Sequence, residues 1–185
     1  MRGTAWFPAS WPREVAALSV RPRTLRHMGI RYYGWAITDD EAAEARTDPW
    51  PVIRRADRRG DEPGWTNTYF DKAWPLLQRL FSTDRPRPPR PGYELVAGDV
   101  TYPSGYLEGY EPYVGVIARD RVPPIARDVA SISRADVRLF CSGLRYGDQQ
   151  VRRDDEGYLA YYLTEAQTFT ADAAARGHAI LYLIR

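Results

Sequence analysis

The sequence predicts an α+β fold: a single domain with a small mixed or antiparallel sheet, its first and last strands adjacent, and helices packed on one side. Three observations carry this prediction. From Ile30 to Ile37 the chain reads IRYYGWAI, placing Tyr33, Trp35 and Ile37 on one strand face and Tyr32, Gly34 and Ala36 on the other. From Asp155 onward Leu159, Tyr162, Leu163, Ala166, Phe169 and Ala173 fall on one stripe of a long helix, and Gly177 stands where a left-handed C′ residue is wanted. GHAILYLIR follows at once, and Ala179 to Ile184 is apolar on both faces, the pattern of a strand interior to a sheet.

The remaining elements follow in order. Residues 1–27 read as an appendage, with Pro8, Pro12 and Pro22 and no apolar stretch of signal-peptide length. They form an N-terminal extension, either loosely packed or upstream of a natural start at Met28, and the α+β domain runs from 28 to 185. Trp6, Phe7 and Trp11 argue for some packing of that leader. After the first strand, Thr38 supplies an N-cap and Asp39, Asp40 and Glu41 an acidic first turn for a short helix ending near Arg46. Residues 48–68 hold Pro49, Pro51, Gly60, Pro63 and Gly64, and read as loop with at most a helical turn around Ile53.

DKAWPLLQRLF, Asp71 to Phe81, places Trp74, Leu77, Leu80 and Phe81 on one helical stripe, with Pro75 suited only to a first turn. RPRPPRPG, Arg85 to Gly92, reads as an extended connector. Between Tyr93 and Tyr113, Pro103, Gly105, Gly109 and Pro112 exclude a long helix and leave a structured loop or short hairpin. Asp120 is placed to cap a helix through Ile125 and Val129, Ser133 another over Val137 to Leu144 ended by Gly147, and Asp155 the last one.

Several of these segments belong together: MGIRYYGWAI, DKAWPLLQRLF, PYVGVIARDRVPPIARDVASIS and GYLAYYLTEAQTFTADAAARGHAILYLIR. With them the chain resembles the YfbM-like family of small bacterial proteins of unknown function, over most of residues 28–185. D-K-x-W-x-x-L is the most specific part. The family's helix tends to run into a Leu-Thr-Gly turn, whereas Phe81-Ser82-Thr83 follows here and Pro75 is an addition. The resemblance implies an α+β fold and a cytoplasmic bacterial protein, and it supplies no activity, cofactor or catalytic residue.

Composition narrows the function classes. At 185 residues with 44% hydrophobic and 27% charged residues the chain is globular. Its longest apolar run falls far short of the roughly 20 residues a spanning helix needs. Cys141 alone can form neither an internal disulfide nor a cysteine zinc cluster. Arg2, Arg13, Arg21, Arg23 and Arg26 face only Glu14 in the leader, so residues 28–185 keep 21 basic and 23 acidic groups, a formal −2. A general affinity for nucleic acid loses its support.

Each candidate for chemistry has a plainer structural role beside it. His178, at the helix–strand corner, is either a general base or a partner for the helix's negative end. Cys141 lies among apolar residues and reads as a small core side chain. Asp154, Asp155 and Glu156 suit helix capping better than a cation site. Arg54 to Arg59, with Trp50 and Trp65 nearby, could meet phosphates and bases, yet Asp57, Asp61 and Glu62 dilute it to a solvated loop.

Trp74, Tyr102, Tyr106, Tyr110 and Tyr113, with Glu108 and Glu111, form the candidate binding set: a pocket or partner interface, or else a lid over the sheet. No metal-ligand spacing, phosphate loop or cofactor fingerprint is present. The sequence therefore points to a non-catalytic domain that binds another protein, of inhibitor or immunity type. The alternative is a small enzyme or metabolite-binding protein whose site assembles only in space.

Overall fold

The computed structural model describes residues 29–60, 62–82, 89–105, 109–144 and 149–185, with 149–152 as backbone. The leader, Met28, Tyr106, Glu108 and Gly147 lie outside the described residues.

Four antiparallel strands form one open sheet: β1 (Tyr32–Ile37), β2 (Asn67–Asp71), β3 (Tyr113–Ile117) and β4 (Ala179–Ile184), in the order β2-β1-β4-β3. The first and last strands are adjacent, pairing from Tyr32↔Ile184 to Ile37↔Ala179. All six residues of β4 are buried, as a strand apolar on both faces requires. One face carries a ladder of rings from all four strands. Phe70 stacks on Tyr32 at 4.5 Å, Tyr32 on Tyr182 at 5.4 Å, and Tyr182 meets Tyr113 at 6.0 Å. Gly115, opposite Tyr182, makes room for that ring, which a Cβ at 115 would overlap.

The hydroxyls of this ladder anchor the next layer. Tyr32 donates to the Leu95 carbonyl at 2.8 Å and Tyr182 to the Ala97 carbonyl at 2.7 Å. Both acceptors belong to a 3-10 segment, Pro91–Val96, and the turn after it. Buried tyrosines thus satisfy their polar ends while fixing a loop. Over this face pack α3 (Trp74–Phe81), α4 (Val122–Ala130), α5 (Arg134–Gly143) and α6 (Gln149–Arg176).

The opposite face is covered as well. Trp35, Ile37, Leu181 and Leu183 meet Ala42, Ala45, Val52, Ile53 and Ala56 of α1 (Asp39–Ala45) and α2 (Pro49–Arg59). The expected one-sided packing therefore holds for α3 to α6 but not for α1 and α2. No helix among the described residues is long and apolar enough to cross a membrane.

Several local signals act as their chemistry dictates. Thr38 and Ser133 each form a capping box, with Glu41 and Asp136. Gly177, at φ 66, ends α6: its N–H donates to Ala174 and that of His178 to Ala173, so two terminal carbonyls are satisfied. Other expectations are corrected. Residues 49–59 are helix, not loop. Asp48 caps the helix by accepting from the Trp50 N–H, and Pro49 and Pro51 sit in a first turn whose N–H groups have no helical acceptor anyway.

Asp71 ends β2 rather than opening a helix, and α3 begins at Trp74, which puts Pro75 in its first turn. Asp120 lies in a short 3-10 turn, Arg119–Arg121, and α4 starts without a side-chain cap because Pro123 and Pro124 remove the donors a cap would serve. α6 begins at Gln149, so Asp155 is an interior, buried helix residue rather than its cap.

Candidate functional site

The segment that joins β2 to α3 holds an uncommon backbone conformation. Asp71 has φ 45, and no other described non-glycine residue has a positive φ. An aspartate tolerates the left-handed region better than most side chains. The Phe70 carbonyl accepts the Ala73 N–H at 2.8 Å, so the chain reverses within four residues and delivers Trp74 to the core.

This conformation turns the Asp71 carboxylate into a hub. Oδ1 accepts from the Tyr69 hydroxyl at 2.8 Å and from Arg31 Nε at 3.2 Å, and Oδ2 accepts from the Tyr158 hydroxyl at 2.9 Å. The Tyr158 hydroxyl in turn accepts the Lys72 N–H at 3.2 Å. Four parts of the chain thus meet at one side chain: the entry to β1, β2, the turn after it, and α6. Burial alone would raise the Asp71 pKa. The hydroxyls of Tyr69 and Tyr158, the Lys72 amide and Arg31 outweigh it and hold the carboxyl below its ordinary range. Tyr69 is pushed up to about 12 by burial and by Asp71, and Tyr158 rises for the same reasons. Both phenols therefore stay neutral near pH 7.

Further rings extend the hub. Tyr33 lies 5.2 Å from Tyr69, with the Arg185 guanidinium 5.3 Å from its centroid. On the helix side Tyr162 meets Tyr158 at 4.9 Å and Tyr161 at 5.0 Å, both edge-on. Tyr69 is 41% and Tyr161 60% exposed, while Tyr33, Tyr158 and Tyr162 are half-buried. The result is a preorganised surface of tyrosine and arginine. The carboxylate at its centre is already occupied by donors, which suits it to hold geometry rather than to take a proton.

The candidates from the sequence distribute differently. Trp74 is 5% exposed and packs in the core, so it presents no face to a ligand. Tyr102 and Tyr110 come together, centroids 6.1 Å apart, with Tyr110 41% exposed. Tyr113 turns to the sheet, its ring against Tyr182 and over Gly98, whose φ is 98. A bridge between Thr101 and Glu111 closes the loop that carries them. The structure thus joins two of the five, sends two inward, and Tyr106 lies outside the described residues.

His178 stacks on Trp65, centroids 4.9 Å apart and planes within 4°, and the Arg59 guanidinium lies over the Trp65 ring at 3.6 Å. Arg59 is held by Glu41 at 2.8 and 3.1 Å. Burial, then Arg176 and Arg59, lower the His178 pKa against a smaller opposing pull from Glu41. Burial and the Trp65 stack thus favour a neutral packing imidazole, its Nδ1 buried without a hydrogen-bond partner, rather than the charged partner for the helix's negative end that the sequence suggested. Cys141 is buried in the core. The arginines of 54–59 lie on α2, where Arg55 pairs with Glu44 and Arg59 with Glu41, so the densest basic run is partly spent inside the domain. Among the described residues no group of three or more His, Cys, Asp or Glu side chains could hold a metal ion.

One open cleft of about 550 Å³ lies between α1, the Ala118–Asp120 corner and the end of α6. Its polar lining is Asp39, Arg46, Arg119 and Asp120, and Arg119 Nη1 reaches Asp39 at 3.4 Å.

The Asp71 hub was not found from the sequence. Its signal was the D-K-x-W segment itself, singled out there as a helix opening instead of a turn.

The family model for a domain of unknown function, DUF1877, matches residues 28–183. Among solved structures, YfbM from Escherichia coli, a protein of unknown function, is similar with a TM-score of 0.57 at 10% sequence identity. The match covers 84% of this chain and 99% of that one, and at such identity it shows the fold alone. No curated protein matches the chain.

Proposed function

Because the chain belongs to the DUF1877 family of domains of unknown function, we propose a role from its own surface: a non-catalytic domain that binds another protein, of inhibitor or immunity type, in the cytoplasm. The observation that carries this reading is the contact-linked set Tyr33, Tyr69, Tyr158, Tyr161 and Tyr162 with Arg31 and Arg185 around Asp71. Tyrosine and arginine dominate the energetics of protein interfaces, since each gives large contact area with a polar end. Here the hydroxyl bonds to Asp71 and the edge-on ring contacts have already restricted the rotamers, which reduces the entropy lost on docking. Tyr102 and Tyr110 add a second aromatic pair on the loop before β3.

The test is co-purification from the native host with a Tyr69→Ala/Tyr161→Ala variant as control. A stoichiometric protein companion, held by the natural chain and lost from the variant, is the expected result. A companion retained equally by both removes this surface from the account.

A second reading has one observation behind it. The cleft lined by Asp39, Arg46, Arg119 and Asp120 has the volume of a small-molecule site and side chains of both signs. A metabolite retained through gentle purification and released by Arg119→Ala would favour it.

A further inference from the structure

We propose that the partner docks as an extended, acidic segment that adds a strand to the outer edge of β2, a mode that rests on the protein-binding reading above. β2 is a terminal strand of the sheet. The register determines which of its backbone groups face outward. Arg31 and Arg185 exchange both backbone bonds across β1 and β4, so odd residues of β1 face β4. The Ala36 N–H donates to the Thr66 carbonyl at 2.9 Å, so even residues of β1 face β2. Thr66 and Thr68 therefore turn inward to β1, and the N–H and C=O groups of Asn67 and Tyr69 turn to the open edge.

The edge is bounded at one end and carries no blocking residue of its own along its length. At Lys72 the N–H is taken by the Tyr158 hydroxyl, and the pairing irregularity at Tyr32/Tyr33 ends the ladder beside Asp71. Between Asn67 and Phe70 the sequence NTYF has no proline, lysine or other charge, the residues that commonly block an edge. Strand addition uses such backbone groups for affinity and side-chain pockets on alternate residues for specificity.

Charge and aromatic placement describe the guest. Tyr69 is exposed and leans on Tyr33, offering a ring beside an incoming side chain on that face. Arg31 and Arg185 are exposed near the same end, and Asp71 is already occupied by donors. Carboxylates on a guest strand therefore meet guanidinium groups there, whereas basic side chains meet like charge.

The probe is a phage-displayed library of random dodecapeptides selected on the full chain. The expected peptides are rich in Asp or Glu and poor in proline. Their binding slows hydrogen exchange at the Asn67 and Tyr69 amides of the unaltered protein. It weakens by about tenfold with Asn67→Pro, which removes an outward donor at the first residue of the strand, and by a similar factor with Arg31→Gln. Exchange is measured on the natural chain, so the test stands even where Asn67→Pro perturbs folding. Peptides that lose affinity on Tyr33→Ala/Tyr69→Ala without protecting those two amides, or that are basic, overturn strand addition and leave the tyrosine surface in place. Peptides indifferent to the tyrosine substitutions, or a library that yields no binder, overturn both.

Discussion

At the scale of single residues, Asp71 carries two roles that substitutions can separate. Its backbone is left-handed, which costs a side chain free energy, and its carboxylate accepts from two phenols and a guanidinium. Asp71→Ala loses the acceptors and keeps the strain, so it lowers stability by about 2 kcal/mol in urea unfolding. Asp71→Asn, which retains tolerance for the left-handed region and part of the acceptor set, costs about half as much. The carboxyl is held below its ordinary range, so its contribution is present above about pH 4 and is lost as pH falls through the folded value; Glu41, held down mainly by Arg59, behaves alike.

His178 acts in a higher window. Its folded pKa is lowered, so the unfolded chain binds the proton first, and stability declines as pH falls below about 6.5. The urea midpoint of the natural chain should drop more between pH 7 and 5 than that of His178→Gln; equal slopes would remove His178 from the account. His178 was legible as a corner residue but its stack was not, because Trp65 and Arg59 reach it only through the fold.

At the scale of elements, capping chemistry was the most readable part of the chain. Thr38→Ala and Ser133→Ala each break a capping box and should each cost about 1 kcal/mol, additively because the two helices pack on opposite faces of the sheet and the boxes share no partner. Glycine was legible where its role is local, as at Gly177, and illegible where it is not. Gly115 is required by the Tyr182 ring from the neighbouring strand, so Gly115→Ala should destabilise by about 1–3 kcal/mol, checked by thermal unfolding.

Proline misled in one place and informed in another. Pro49 and Pro51 suggested a loop but occupy the first turn of α2, where they cost no helical bond, while Pro75, awkward in a helix begun at Asp71, falls in the first turn of one that begins at Trp74. β2 and β3 are five residues each; β2 ends at a residue the reading assigned to a helix and β3 begins at the end of a segment it assigned to a loop or short hairpin, so alternation had too few positions to register.

At the scale of the whole molecule, the sheet is covered on both faces, and the burial of all of β4 is the consequence. The apolar run AILYLI held that information, since a strand with no polar face needs helices on each side. The adjacency of β1 and β4 was legible as the simplest pairing of the two strand signals, Ile30–Ile37 and Ala179–Ile184. The tyrosine surface was not: its members lie at 33, 69 and 158–162, and only the antiparallel sheet and the length of α6 bring them to one place.

That surface is the central claim, and native mass spectrometry tests it most directly. The chain is purified gently from its own host beside a Tyr69→Ala/Tyr161→Ala variant. The account predicts a stoichiometric protein companion on the natural chain that is missing from the variant. A companion retained by both, or a small molecule in place of any protein, would contradict it.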